Sequence, residues 1–347
     1  MDAIPGGTAP RRIAWLRDAG FDSALVLGAP ALAFLSGAVI VYEPSWFYPI
    51  LLVDLWVLGY HHVVATFTRL CFDRASYAER RWMIVHLVPA VALATVLLAW
   101  AAGIWAIVSV YYYWQWFHYT RQSWGISRAY RRAGPEASYD DGWLEQAIFY
   151  AVPVFGILQK SSEGHTRFIG LELWTVPVEG TLASAAGYAA FALVAFWAVR
   201  RVLDLANGRL ATAHTLYMAT HFAIFWASYV LVPDITLGWL MVNIWHNYQY
   251  ILFVWMFNNS RFRSGLDPNA RFLSYISQSG RIGLYMLACI AITGAFYWGV
   301  VHTIDWLLFA GLSATVVLYQ IVNFHHYIVD ALIWKTRRAG RLGIVGA

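Results

Sequence analysis

Apolar runs of about 20 residues recur along this chain, and each is long enough to cross the hydrocarbon core of a bilayer as a helix. The 347-residue sequence is 12% charged, about half the charged fraction of a soluble domain. We therefore predict an all-α fold, a polytopic membrane bundle of about ten helices in which residues 1–347 form a single transmembrane domain. The predicted spans lie near residues 21–42, 47–68, 82–102, 104–127, 142–159, 181–199, 210–231, 235–257, 281–300 and 305–334.

The basic residues separate into two groups of loops when these spans are assumed. One group of loops is basic, and the other group is short or nearly free of basic residues. Of the 24 Lys and Arg residues, only Lys160 and Arg167 fall in the second group if Arg121 is counted with the inner end of its helix. Since Lys and Arg collect on the cytoplasmic side of membrane proteins, this separation predicts that both termini are cytoplasmic. The expected location is a multi-pass position in a membrane, the cell inner membrane if the source is bacterial. The net charge of +5 reflects this side preference and indicates no nucleic-acid partner.

The usual motifs of soluble enzymes are absent. The sequence contains no HExxH zinc motif, no GxGxxG loop, no P-loop and no GxSxG elbow. Its two cysteines, Cys71 and Cys289, form no CxxC pair and indicate no disulfide framework. The apolar segment after Arg17 is too long for the core of a signal peptide, so we expect it to remain as the first membrane anchor.

The histidines are concentrated at one depth of the predicted bundle. With a rise of about 1.5 Å per residue, His62 lies roughly 10 Å in from Arg69, and His221 lies roughly 18 Å in from Arg209. Two of the eleven histidines, at positions 165 and 302, fall on the outer side. The nine on the inner half are His61, His62, His86, His118, His214, His221, His246, His325 and His326.

Spacing along each helix places further polar groups beside these histidines, because residues three, four or seven apart share a helix face. A single histidine in a membrane helix is often only a hydrogen-bonding residue between helices. Several of them at a shared depth are costly and usually mark a functional site. The pairs with such spacing are Asp54 and His61, His118 and Gln122, His214 and His221, His246 and Gln249, and His326 and Asp330.

The cluster has the chemistry of a metal site, since neutral imidazole is the commonest protein ligand for iron, copper and zinc. We expect a metal ion, iron in particular, in a mononuclear or binuclear centre. Polar neighbours would orient the ligands or take part in catalysis; these are Arg121, Gln122, Asn247 and Gln249. The predicted ligands are His61, His62, His118, His214, His221, His246, His325, His326, Asp330 and Asp54.

A buried iron centre of this type activates O₂ against C–H bonds, and the bilayer would supply a lipophilic substrate. The aromatic segment YYYWQWFHY, residues 111–119, is a candidate lining for such a substrate. The expected function is therefore an integral membrane oxidoreductase of the oxygenase, hydroxylase or desaturase type. Its expected partners are the lipid bilayer, a lipophilic small molecule and an electron-donor protein.

Two segments carry adjacent histidines, YHHVVATFTR at residues 60–69 and FHHYIVDALIWK at residues 324–335. The overall plan resembles that of the membrane-bound histidine-rich di-iron enzymes, the fatty acid desaturases and hydroxylases. Those enzymes carry HxxxH and HxxHH boxes, and this chain has neither. The resemblance therefore implies no family membership and assigns no role to any residue.

Three other functions are compatible with parts of the pattern. A haem protein needs two axial histidines, for which His118 with His246 or His62 with His326 would serve. A membrane acyltransferase would use the His–Asn pair in WHN, residues 245–247. A transporter would use the buried carboxylates as a proton or ion path. Each of these explains only some of the histidines.

Overall fold

The computed structural model describes residues 13–134, 142–306 and 314–333. It is 84% helical, which confirms the predicted all-α class. The helices are α1 (Ala19–Tyr42), α2 (Pro44–Leu70), α3 (Arg74–Ala102), α4 (Ile104–Ala133), α5 (Gly142–Ser162), α6 (Gly180–Ala206), α7 (residues 212–231), α8 (Ile235–Arg261), α9 (Arg271–Ile276), α10 (Ile282–Trp306) and α11 (Ala314–Ile333). Two short antiparallel strands, β1 (Arg167–Phe168) and β2 (Leu171–Glu172), form a hairpin between α5 and α6.

Six helices in the described part of the chain are long and apolar enough to cross a membrane: α1, α2, α3, α6, α10 and α11. They identify a multi-pass membrane protein. Within the predicted span 305–334, residues 305–306 end α10 and residues 314–333 form α11, while residues 307–313 and 334 lie outside the described residues.

The other long helices, α4, α5, α7 and α8, overlap predicted spans but are not among these six. The reason is clearest in α8, which is buried along most of its length, with Trp239 and Trp245 at 1% and 0% exposure. A helix surrounded by other helices meets no lipid, so its surface can carry polar side chains that find partners inside the bundle. Helix α8 thus forms the centre of the bundle and brings polar residues to it.

Small residues let the central helices approach closely. A Cβ atom added at Gly238 of α8 would collide with the backbone carbonyl of Ser228 in α7, and one added at Gly37 of α1 would lie 2.6 Å from the sulfur of Met241. Glycine at such crossings permits tight van der Waals packing between membrane helices. These contacts fix the rotation of α8 relative to its neighbours.

An ion pair joins the start of α3 to the end of α8. Asp73 caps α3 by accepting a hydrogen bond from the Ser76 backbone N–H at 2.9 Å, and it accepts another from Arg261 at 2.8 Å. Burial raises the pKa of Asp73, but the hydrogen bonds from Arg261 and Ser76 more than offset burial, so the pKa lies below its ordinary value. The charged carboxylate therefore stabilises the folded chain at this end of the bundle.

Candidate metal centre

Four histidines from four different helices meet inside the bundle. They come from α2, α4, α8 and α11, and in five of their six pairings the ring centroids lie 4.4–6.2 Å apart. None of the four side chains belongs to a residue more than 6% exposed. We call this group the histidine cluster; its members are His62, His118, His246 and His326.

The cluster contains two overlapping sets of potential metal ligands. One set is His62, His118 and His246; the other is His118, His326 and Asp330. Within each set the ligand atoms lie within 4.8 Å of one another. The Nε2 atoms of His326 and His118 are 3.3 Å apart, and two nitrogens bound to one metal at about 2.0–2.1 Å would be roughly 3.0–3.4 Å apart.

Three polar atoms of this group are buried and have no hydrogen-bond partner: Nε2 of His62, Nε2 of His246 and Oδ2 of Asp330. Buried polar atoms almost always have a partner, because leaving one unpaired costs about 1–3 kcal/mol. Oδ2 of the carboxylate is an electron-pair donor, and so is Nε2 of each neutral imidazole when the ring proton is on Nδ1. A transition-metal cation would satisfy all of them, so the residues present fit a metal with mixed nitrogen and oxygen ligands.

Hydrogen bonds on one side of the cluster fix His326 and Asp330. Tyr250 donates to Oδ1 of Asp330 at 2.5 Å, and Thr66 donates to the same oxygen at 3.3 Å. Oγ1 of Thr66 lies 3.0 Å from Nδ1 of His326. Since the hydroxyl donates to the carboxylate, it accepts from the imidazole, which places the proton of His326 on Nδ1 and leaves the lone pair of Nε2 directed toward His118. Partners of this kind orient the ligands of known metal sites.

A second hydrogen-bond network adjoins the cluster and contains Asp54. Asn243 donates to Oδ2 of Asp54 at 2.5 Å, and Asn247 donates to Oδ1 at 3.4 Å. Tyr119, the neighbour of His118, donates to Oδ1 of Asn243 at 2.5 Å. Asp54 also begins a π-helical turn, Asp54–Gly59, within α2, and such turns are frequent at functional sites. The structure therefore places Asp54 among amides beside the cluster and not among the potential ligand atoms.

A small chamber adjoins the cluster. It has about 10 Å³ of room for the centre of a water-sized sphere. His62 forms part of its wall, so the chamber reaches the cluster directly. The other lining residues are Gly59, Tyr60, Tyr111, Tyr119, Asn243, Asn247, Tyr319, Asn323 and Tyr327.

Four of the predicted ligands lie away from the cluster: His61, His214, His221 and His325. Nδ1 of His61 is 3.1 Å from the Val57 carbonyl oxygen, and Nε2 of His325 is 2.7 Å from the Met83 carbonyl oxygen. Nδ1 of His221 lies 3.0 Å from the Ser123 hydroxyl oxygen, and Nε2 of the same ring lies 3.2 Å from the Phe149 carbonyl oxygen.

His214 belongs to a separate polar group. Its Nε2 lies 3.0 Å from Oγ of Ser127 and 3.4 Å from Oε1 of Glu145. Glu145 also accepts from Arg128 at 2.8 Å and pairs with Arg131. This group joins α4, α5 and α7, and it explains the polarity of His214 without a metal.

The four predicted polar neighbours of the metal take different positions. Gln122 lies beside Asp330, and Asn247 lies between the cluster and Asp54. Gln249 is instead bound to the Leu25 carbonyl oxygen at 3.1 Å. Arg121 is exposed on the outside of α4, where it contacts Tyr150 of α5. Only the first two are therefore near the cluster.

Several residues around the cluster were not predicted from the sequence. Asn243 and Tyr250 flank His246 at spacings of three and four residues, the spacing that places them on the same face of α8. Tyr327 stacks on His118 with ring centroids 4.3 Å apart, and only the fold shows this contact. The helical spacing was a usable signal for the first two residues.

The comparisons with known proteins give no relative for this chain: no family model, no curated protein and no solved structure matches it. The site must therefore be interpreted from its own geometry.

Proposed function

We propose that this protein is an integral membrane metalloenzyme, an iron-dependent oxidoreductase of the oxygenase, hydroxylase or desaturase type acting on a lipophilic substrate. The observation that supports it is the meeting of four buried imidazoles from four helices, with one carboxylate, at distances suited to metal ligands. Polar and ionisable groups in a membrane interior are costly and are retained where they carry out a function.

The ligand types fit a first-row transition metal, and among these metals we propose iron. A set of imidazoles with one carboxylate suits a first-row transition metal, whereas calcium and magnesium prefer oxygen ligands alone. The structural sites of zinc are closed by four ligands, and the present set offers five side chains. Iron held in this way would supply the oxidation of a C–H bond. The protein supplies the ligands His62, His118, His246, His326 and Asp330, and it fixes their orientation through Thr66 and Tyr250.

The same proposal includes the topology and the partners. Ten spans with both termini in the cytoplasm account for the distribution of Lys and Arg. In a bacterium this places the protein in the inner membrane. An electron-donor protein would restore the metal after each oxidation, and the bilayer would deliver the substrate.

Haem is a poor fit to the cluster. In five of the six pairings of the four histidine rings the centroids lie only 4.4–6.2 Å apart, and the adjoining chamber has room for about one water-sized molecule. A porphyrin is much larger than this space and would have to lie between two axial histidines. An acyltransferase role for His246 is also disfavoured, since Asn247 is bound to Asp54 and His246 faces other imidazoles.

Elemental analysis of detergent-purified protein tests the proposal. We expect iron at stoichiometric level in the wild type and its loss in His118→Ala, because His118 belongs to both ligand sets. His221→Ala is the control, since His221 is bound to groups outside the cluster, and it should retain the metal. Wild-type protein without a stoichiometric transition metal, after expression with iron supplied, would overturn the proposal.

A further inference from the structure

The chamber beside the histidine cluster has an unusual lining for a membrane interior. Five tyrosines and three asparagines contribute to its wall, together with His62 of the cluster. Some of these groups bind one another; the hydroxyls of Tyr111 and Tyr319, for example, are 3.4 Å apart. A lipid chain gains nothing from phenol and amide groups, whereas a small polar or polarisable ligand can accept hydrogen bonds from them.

The size of the chamber limits what can occupy it. With about 10 Å³ of room for the centre of a water-sized sphere, it holds about one molecule of the size of water or a diatomic gas. The long part of a lipophilic substrate must therefore lie elsewhere. Because His62 is both a wall residue and a member of the cluster, a small ligand in the chamber would be next to the metal.

We propose that the tyrosine-lined chamber is the binding site for a diatomic ligand of the metal, which is dioxygen in the proposed reaction. This inference rests on the proposed function, since it requires a metal in the histidine cluster. Hydroxyl protons and second amide N–H groups of the wall that are not already bound within the protein would stabilise negative charge that develops on the ligand. The chamber thereby separates the small oxidant from the lipophilic substrate, which approaches from the bilayer.

Gly59 offers a way to fill the chamber without changing a ligand. A Cβ atom at this position would lie 3.5 Å from the side-chain nitrogen of Asn247 and 3.6 Å from the carbonyl oxygen of Asp54, which are ordinary contacts. Alanine therefore fits, and because Gly59 lines the chamber, we expect the two extra methyl groups of valine to reduce its volume. Gly294 of α10 is a matched control, because it lies in a membrane helix and a Cβ added there meets nothing within 4 Å.

The experiment combines metal analysis with nitric oxide binding, using nitric oxide as a diatomic probe of the reduced, metal-loaded full-length protein. Binding is followed anaerobically by absorption and electron paramagnetic resonance. We expect the wild type and Gly294→Val to bind nitric oxide equally. Gly59→Val should keep its iron and lose at least tenfold in affinity for nitric oxide, and Gly59→Ala should lose less.

The outcomes separate this inference from the proposed function. Wild-type protein without metal overturns both. Wild-type protein that contains iron but binds no nitric oxide overturns the chamber assignment alone, and so does Gly59→Val with full metal and unchanged affinity. If Gly59→Val fails to hold metal, Gly59→Ala decides: unchanged affinity with full metal overturns the inference, and weakened affinity supports it.

Discussion

His118 and His326 are 208 positions apart in the sequence, yet their Nε2 atoms lie 3.3 Å from each other. Each is next to an aromatic residue of its own helix, and Tyr327 also stacks on His118. Two nitrogens at this distance either share one proton or bind one cation. The nearby unpaired Nε2 atoms of His62 and His246 favour the cation.

The two adjacent histidines of α11 should differ sharply in their effect on the metal. Removing His326 deletes a ligand, so His326→Ala should lower bound iron to less than a tenth of the wild-type level. His325 is bound to the Met83 carbonyl oxygen and stacks on Phe67, so His325→Ala should retain the metal. Elemental analysis of both purified variants measures the difference. Equal metal content in the two proteins would contradict the ligand assignment.

Tyr250 should act as a positioning residue for the metal through Asp330. Tyr250→Phe removes the hydrogen bond to Oδ1 of Asp330 with little change in volume. Loss of such a partner typically weakens metal binding about 10–100-fold, and we expect that range in a competition titration with a chelator. Tyr217→Phe is the control, because Tyr217 bonds Ser123 outside the cluster. A structural role alone would lower the thermal stability of Tyr250→Phe and leave the metal affinity unchanged.

The topology can be tested with a membrane-impermeant maleimide on intact cells. Both native cysteines, Cys71 and Cys289, are first replaced by serine. Glu172 and Asn207 are both exposed and lie before and after α6, so the proposal puts them on opposite sides of the membrane. We expect Glu172→Cys to be labelled from outside and Asn207→Cys to be labelled only after lysis. Labelling of both from outside would contradict the proposed orientation.

Asp73 should stabilise the fold in a pH-dependent way. Asp73→Ala removes a helix cap, which costs about 1–2 kcal/mol, and leaves Arg261 without this carboxylate. Because the pKa of Asp73 is lowered in the folded state, its contribution is present above the ordinary carboxyl pKa. That contribution should disappear as the pH falls through the lowered value.

Thermal unfolding in detergent at neutral and acidic pH measures this effect. Glu43→Ala is the control, since Glu43 caps the short turn after α1 at an exposed position. It should change stability by less than about 0.5 kcal/mol. An equal loss of stability for Asp73→Ala at both pH values would show that the charge of Asp73 is not the cause.

The apolar runs were sufficient to predict a helical membrane bundle, because a chain in lipid must satisfy its backbone hydrogen bonds within each segment. Helices that carry many polar residues show what composition does not predict, namely which helices lie at the centre of the bundle. Helix α8 carries Asn243, His246 and Asn247 in a buried setting, and its hydropathy reflects contact with protein instead of lipid. The apolar run at residues 235–257 predicted its helix, while its central position came from packing.

The sequence by itself determined that histidines occur at one depth of several helices, since depth follows from the rise of about 1.5 Å per residue. Only the tertiary structure decided which histidines meet. Adjacent residues of a helix point about 100° apart, so His62 and His326 enter the cluster while their neighbours His61 and His325 face other helices. The rotation of each helix about its axis makes this choice. That rotation is fixed by contacts between distant residues, such as Gly37 with Met241, which no local pattern specifies.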